Sequence, residues 1–183
     1  MGPSMSFLLL MGAVAAMGWL VSLILRRHMG LRDAMRLGAV GAFLFTGMDH
    51  FINVDTRYLP MMPAFFGSLA RPLVLFTGAA EIAGAIGLLL PISTYKHLGL
   101  PNLRYMAGVA LAVMLVALVI ANINVAIKGR GVPGLAFGQW YFWLRPAFQP
   151  LIILWVLYAA GVTPRKKHAA LQIVRPRRWK QHP

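Results

Sequence analysis

The chain has no cysteine among its 183 residues and only four acidic side chains. The first absence excludes structural disulfides, thiolate nucleophiles, cysteine-ligated iron–sulfur clusters and sulfur carriage by the chain itself. Histidine is also sparse where it would matter for haem. Of the five, only His50 lies inside an apolar run, while His28, His97, His168 and His182 fall in basic connections or the tail, so one chain does not supply a bis-histidine pair. The scarcity of acid leaves 18 Lys and Arg against 4 Asp and Glu, a formal net charge of +14. In a soluble domain that excess would point to nucleic acid. Here the basic residues sit between and after long apolar runs, the pattern of membrane topology.

What is present is apolar. Hydrophobic residues make up 59% of the chain and charged ones 12%, with a mean hydropathy of +0.69. This composition is that of an integral membrane protein. Runs long enough to span cover residues 5–25, 37–54, 71–91, 105–127 and about 140–162, which predicts five transmembrane helices. The first is followed at once by Arg26, Arg27 and His28, whereas a secretory signal carries its charge before the apolar stretch, so a retained helix is expected. Residues 1–33 are read as this helix with a basic connection, 34–163 as a four-helix membrane bundle, and 164–183 as a basic tail.

Basic residues divide unevenly between the two sides. Arg26, Arg27, Arg32, Arg36, Lys96, Arg104 and seven in the tail give thirteen on one side, against five (Arg57, Arg71, Lys128, Arg130, Arg145) on the other. The excess predicts a cytoplasmic C-terminus and an outer N-terminus in a bacterial-type inner membrane. On the outer side, residues 53–70 contain Pro60-Met61-Met62-Pro63-Ala64-Phe65-Phe66, too apolar for a solvated loop and too rich in proline for a long helix. This segment is expected at the interface or folded back over the bundle mouth. Residues 128–139 are glycine-rich, and Trp140-Tyr141-Phe142-Trp143 after them marks an interface. The tail is expected to anchor topology and attract anionic lipid.

Few polar side chains lie in the runs: Asp49, His50, Glu81, Asn122, Asn124, Arg145 and Gln149. Glu81 is the deepest, ~15 Å from the Arg71 end of its helix and so near the midplane of a ~30 Å hydrocarbon layer. An ionisable group there has to face other helices and find a partner. Depth places His50, Glu81, Asn122 and Gln149, one from each of four helices, in a single outward-facing layer. Arg145 and Gln149 are one turn apart and share a face. Asn122 and Asn124 are about 200° apart, so one of them, Asn122, is expected to face the interior. Asp49 points away from His50 and is expected near the interface, paired with Arg57, Arg71 or Arg145. Two uses of the layer stay open. The groups can bond one another to fix helix packing, at about 0.6 kcal/mol each. Otherwise they line a cavity in which Glu81 and His50 exchange protons with the polar head of a lipophilic molecule, while Asn122, Gln149 and Arg145 orient it.

The ordered set Gly47-Met48-Asp49-His50-Phe51, Tyr58-Leu59-Pro60-Met61-Met62-Pro63, Thr77-Gly78-Ala79-Ala80-Glu81-Ile82-Ala83-Gly84, Ala121-Asn122-Ile123-Asn124-Val125-Ala126 and Leu144-Arg145-Pro146-Ala147-Phe148-Gln149 resembles the DoxX-like family of small membrane proteins. The resemblance covers roughly residues 36–161. It implies an all-α integral membrane protein, a four-helix bundle to which this chain adds an N-terminal helix and a basic tail. It also implies a subunit of a membrane oxidoreductase assembly that binds a quinone or lipid headgroup, since family members are linked to thiosulfate:quinone oxidoreductase and related complexes. The family's recurrent polar positions fall here on His50, Glu81, Asn122 and Gln149. Expected partners are membrane lipids and a protein that supplies electrons, with no nucleic acid, no metal and no covalent cofactor. The alternative is a non-catalytic structural subunit or assembly factor.

Overall fold

A computed structural model describes residues 7–128 and 140–163, with side chains for 7–127 and 143–163. Trp140, Tyr141 and Phe142 are described as helix without their side chains, and the basic tail and residues 129–139 of the glycine-rich connection lie outside the described residues. All regular structure within them is helical: α1 (Phe7–Ile24), α2 (Leu31–Ile52), α3 (Ala70–Leu89), a short α4 (Ile92–His97), α5 (Leu103–Lys128) and α6 (Trp140–Ala160). Four helices are long and apolar enough to cross a membrane by themselves. A fifth qualifies if α2 and the helical turns after it count as one span bent by 94°.

The bounds of α2 differ most from the sequence expectation. The helix begins at Leu31 rather than near Leu37, so its first turns carry Arg32, Asp33 and Arg36. These residues lowered the apolar signal without breaking the helix, because they meet the far end of α6. Arg36 Nε donates to Ala159 O at 3.2 Å and pairs with Asp33 at 2.9 Å. Arg32 Nη2 donates to Thr163 O at 2.9 Å and lies over the Tyr158 ring. Gly161, at φ +83°, closes α6 with bonds from Gly161 N to Tyr158 O and Val162 N to Leu157 O. These are the two bonds of a Schellman turn. Together the turn and the two arginines satisfy carbonyls that a helix end otherwise leaves bare.

The ends of α3 and α5 follow from local chemistry. Pro72 fits the first turn of α3, where no N–H is required, and Pro91 follows its last residues. The six-residue α4, too short to show in an apolar profile, bridges to Asn102. The Asn102 side chain accepts from Tyr105 N at 3.1 Å and from the Tyr95 hydroxyl at 3.0 Å. This caps the start of α5.

Helices α2, α3, α5 and α6 form a ring: α2 packs on α3, α3 on α5, α5 on α6, and α6 back on α2, while α1 lies against α2 from outside. Phe43, Leu88, Leu111 and Val156, one from each helix of the ring, are fully buried at its centre, joined by Met11 of α1. Large side chains such as Phe76, Val113, Ile120 and Leu154 stay exposed. An apolar exterior over a packed interior is the arrangement of a bundle surrounded by lipid.

Close approach of the helices depends on small residues. A methyl group on Gly108 would lie 2.1 Å from Ala160 Cβ, whereas one on Gly12 meets nothing within 4 Å. We therefore expect G108A to lower stability in detergent by about 1–3 kcal/mol through overpacking, and G12A to leave it unchanged or slightly raised. Thermal unfolding of the two variants against the parent checks this, and equal midpoints would contradict the packing.

Candidate functional site

The site is built where α2 and α3 touch. A Cβ on Gly78 would sit 2.6 Å from His50 Cβ, and one on Gly47 would sit 2.9 Å from Gly78 O. Only glycines permit the two backbones to come this close. The contact sets Thr46 and His50, one turn apart on α2, directly against Glu81 of α3. Glu81 and His50 are 4% and 6% exposed.

Thr46 is the link between them. Its carbonyl accepts from His50 Nδ1 at 2.8 Å, and its hydroxyl lies 2.5 Å from Glu81 Oε2. His50 Nδ1 is itself 3.9 Å from the same carboxyl oxygen, an ion-pair distance but too long for a hydrogen bond. A neutral imidazole that spends its Nδ1–H on Thr46 presents Nε2 as an acceptor.

The Thr46 hydroxyl is also 2.9 Å from Ala42 O. It owns one proton and two lone pairs. With Glu81 ionised, the hydroxyl donates to the carboxylate. With Glu81 protonated, the carboxylic acid donates to the hydroxyl, which in turn donates to Ala42 O. The Thr46–Glu81 hydrogen bond is kept in both states with no movement of heavy atoms.

Residues after α2 cover this cluster. The chain turns at Asn53 through short helical turns (Val54–Tyr58, Leu59–Met61) and runs over the bundle mouth, as one of the two sequence expectations had it. Tyr58 stacks on the His50 ring at 3.8 Å between centroids. Asp49 holds the turn in place: it accepts from Asn53 Nδ2 at 2.5 Å, from the Tyr58 hydroxyl at 2.9 Å and from Arg57. Arg57 is one of the three cations expected for Asp49, and Arg71 pairs instead with Asp55. Asp49 is 9% exposed, buried beneath its own turn rather than facing solvent. Among the described residues no three metal-ligating side chains converge.

The amides lie elsewhere in the ring. Asn122 Nδ2 donates to Gln149 Oε1 at 3.1 Å, and Gln149 Nε2 donates to Leu115 O at 2.9 Å. Measured from the contact of Gly84 with Leu111, Asn122 lies roughly 12 Å farther along the bundle than Glu81, toward the end where residues after α2 fold back. No hydrogen bond among the described residues joins it to Thr46, His50 or Glu81. The expected single layer is thus two pairs, one between α2 and α3 and one between α5 and α6. Position along a helix does not fix the direction a side chain takes around the ring. Arg145 is half-buried on α6, one turn from Gln149. The expectation that only one of Asn122 and Asn124 turns inward also needs correcting. Asn124 Nδ2 donates to Met61 O at 3.0 Å, because the returning segment comes across to meet α5, where Met61 packs on Val125 and Ala126.

A model of a domain of unknown function, DUF8561, matches residues 39–160. The chain belongs to the DUF8561 family. No curated protein and no solved structure matches it. The DUF8561 region takes in most of α2 and all of α3 to α6, and ends on the last residue of α6; α1 precedes it. His50, Glu81, Asn122, Arg145 and Gln149 all fall inside it, as does Thr46, the residue the sequence reading missed. A threonine in an apolar run carries little signal, but its place four residues before His50 and next to Gly47 was available to a search for hydroxyls one turn from an intramembrane histidine.

Two outcomes follow from this geometry. T46V removes the hydroxyl from a buried carboxyl and is expected to cost about 1–3 kcal/mol, with T46S restoring most of it; thermal unfolding in detergent measures both, and a T46V protein as stable as the parent would refute the link. Removing Arg57 leaves Asp49 buried and uncompensated, so R57M is expected to cost about 3 kcal/mol. By contrast R71M, at the exposed pair with Asp55, should cost under about 1 kcal/mol.

Proposed function

We propose that this DUF8561 chain is a multi-pass subunit of a bacterial-type inner membrane, with outer N-terminus and cytoplasmic C-terminus, that binds a quinone or similar lipophilic headgroup at the His50–Glu81 pair within a membrane oxidoreductase assembly. The DoxX-like resemblance suggests this class of ligand. The observation that carries the reading is the 3.9 Å approach of a carboxyl group and an imidazole, both buried deep in a helix bundle. Intramembrane ionisable groups are expensive and mark proton or substrate paths.

The residues fit the group in donor chemistry. His50 Nε2 can accept from a hydroxyl, and Glu81, once protonated, can turn its one O–H from Thr46 to a carbonyl oxygen while the Thr46 hydroxyl donates back to the carboxyl. Quinone chemistry couples two electrons to two protons, and this chain's part is the protons. Thr46 keeps Glu81 bonded before and after it releases one. Electrons come from a partner protein, as the sequence encodes no redox centre of its own. Tyr58 lies over the imidazole, so a headgroup reaches it by displacing that ring, and the Asp49 network sets how firmly the ring is held. Asn122 and Gln149, bonded to each other on the α5–α6 side, act as packing contacts here rather than as ligands.

A second reading rests on the burial itself. With Glu81 buried and hydrogen-bonded to Thr46, the cluster would serve only to lock α2 on α3 in a structural subunit or assembly factor. Direct binding separates the two. Protein in lipid nanodiscs is titrated with a short-tailed quinone. Saturable binding is expected for the parent, weakened about tenfold or more in E81Q, which keeps the side chain's shape but loses its exchangeable proton. Folded parent protein that shows no saturable binding, or binds as E81Q does, decides for the second reading.

A further inference from the structure

Outside the site, the exterior of the ring carries an apolar groove of about 490 Å³ between α3 and α5. Its floor is made of small residues, Ala80, Ala83 and Gly87 on one helix and Ala107 and Ala110 on the other. It runs from Leu90 up to Ala80, a length of ~15 Å at 1.5 Å per residue. That is half of a ~30 Å hydrocarbon layer, the reach of one leaflet's acyl chain. The groove therefore begins at the basic end of the bundle and stops at mid-depth.

The charge at the starting end is unbalanced. Arg104, next to the groove residue Leu103, donates through Nη2 to Leu90 O at 2.7 Å, while its buried Nε has no partner among the described residues. Lys96 and His97 are exposed on α4 close by in sequence, and Arg26, Arg27, Arg32 and Arg36 lie at the same end of the bundle. Of the chain's four acids, Asp49, Asp55 and Glu81 are elsewhere. Only Asp33 is at this end, and Arg36 already holds it. An anion is what this end lacks.

We propose that the α3–α5 groove binds one acyl chain of a phospholipid with a net negative headgroup, whose phosphate is held by Arg104 with Lys96 nearby. The occupant follows from the two features together: an apolar slot of single-leaflet length, and a cationic rim at the depth where the headgroup of that leaflet lies. The site is separate from His50 and Glu81, and it depends on the chain being membrane-embedded but not on quinone binding.

Native mass spectrometry of the full chain from nanodiscs of equal phosphatidylglycerol and phosphatidylcholine tests it. The parent is expected to keep one phosphatidylglycerol after delipidation, favoured at least about fivefold over phosphatidylcholine, the effect of one cation near the surface. A110F and A83F, at exposed positions, fill the groove from outside and should each reduce retention about fivefold or more. R104Q should abolish the preference for the anionic lipid, and E81Q should change neither. Retention unchanged by A110F and A83F would place the lipid elsewhere, on the basic tail, and overturn the proposal. So would equal retention of both lipids by the parent, or a parent that is a dimer which A110F makes monomeric, since a second copy would then fill the groove.

Discussion

The structure depends on how closely two helices come together. At Gly47 and Gly78 the backbones of α2 and α3 approach until a single added methyl group would meet a carbonyl oxygen or the Cβ of His50. In lipid there is little hydrophobic force to drive helices together, so association rests on such contact and on hydrogen bonds between helices. Here the two are one feature. The same approach that packs the backbones carries Thr46 and His50 to Glu81, and a bundle with larger residues at these two positions would hold its acid beyond reach of either. The geometry of the polar cluster is a consequence of the glycines.

The ends of the bundle show a related constraint. A helix ending near lipid has to satisfy its last carbonyls with something the chain brings along. At the basic end, α6 closes on Gly161, and Arg32 and Arg36 reach across from α2 to Thr163 O and Ala159 O. At the other end, Asp49 gathers Asn53, Arg57 and Tyr58 and so turns the chain back over the mouth. Asp49 and His50 are neighbours with different work: the first builds the cover, and the second lies beneath it. Charged residues that seemed costly in an apolar chain are placed where backbone ends or a sharp turn would otherwise go unmet.

Much of this was open to inspection in the sequence. Apolar runs gave the number of long helices, because lipid demands a minimum length of uninterrupted apolar chain. The burial of Glu81 among helices, one of the two courses expected for residues 53–70 and one of the three cations expected for Asp49 were stated from residue types and spacing. What escaped were facts of rotation and of neighbours. Spacing gave the position of Asn122 and Gln149 along their own helices but not that they would find each other across α5 and α6, on a different side of the ring from Glu81. The early start of α2 escaped because its arginines are satisfied by carbonyls more than a hundred residues away. Thr46 escaped because a lone hydroxyl in an apolar run looks neutral until the helix it faces is known.

Thr46 also bears on what the cluster is for. A contact that serves packing alone needs one fixed hydrogen-bond pattern, and a threonine bonded back to its own helix at Ala42 O already has one. Placing Glu81 on the same hydroxyl lets that hydrogen bond survive a change in the carboxyl's protonation: the hydroxyl turns from donor to acceptor, Ala42 O takes up its hydrogen, and no heavy atom moves. A permanently neutral role would be filled as well by glutamine, and a permanently charged one would call for a cation in direct contact, whereas His50 stands 3.9 Å away with its Nδ1–H committed to Thr46 O. Glutamic acid beside a hydroxyl that can reverse is the arrangement that keeps both protonation states in one packed structure. That property is wasted on a spacer and useful to a group that gains and loses a proton while the bundle around it stays closed.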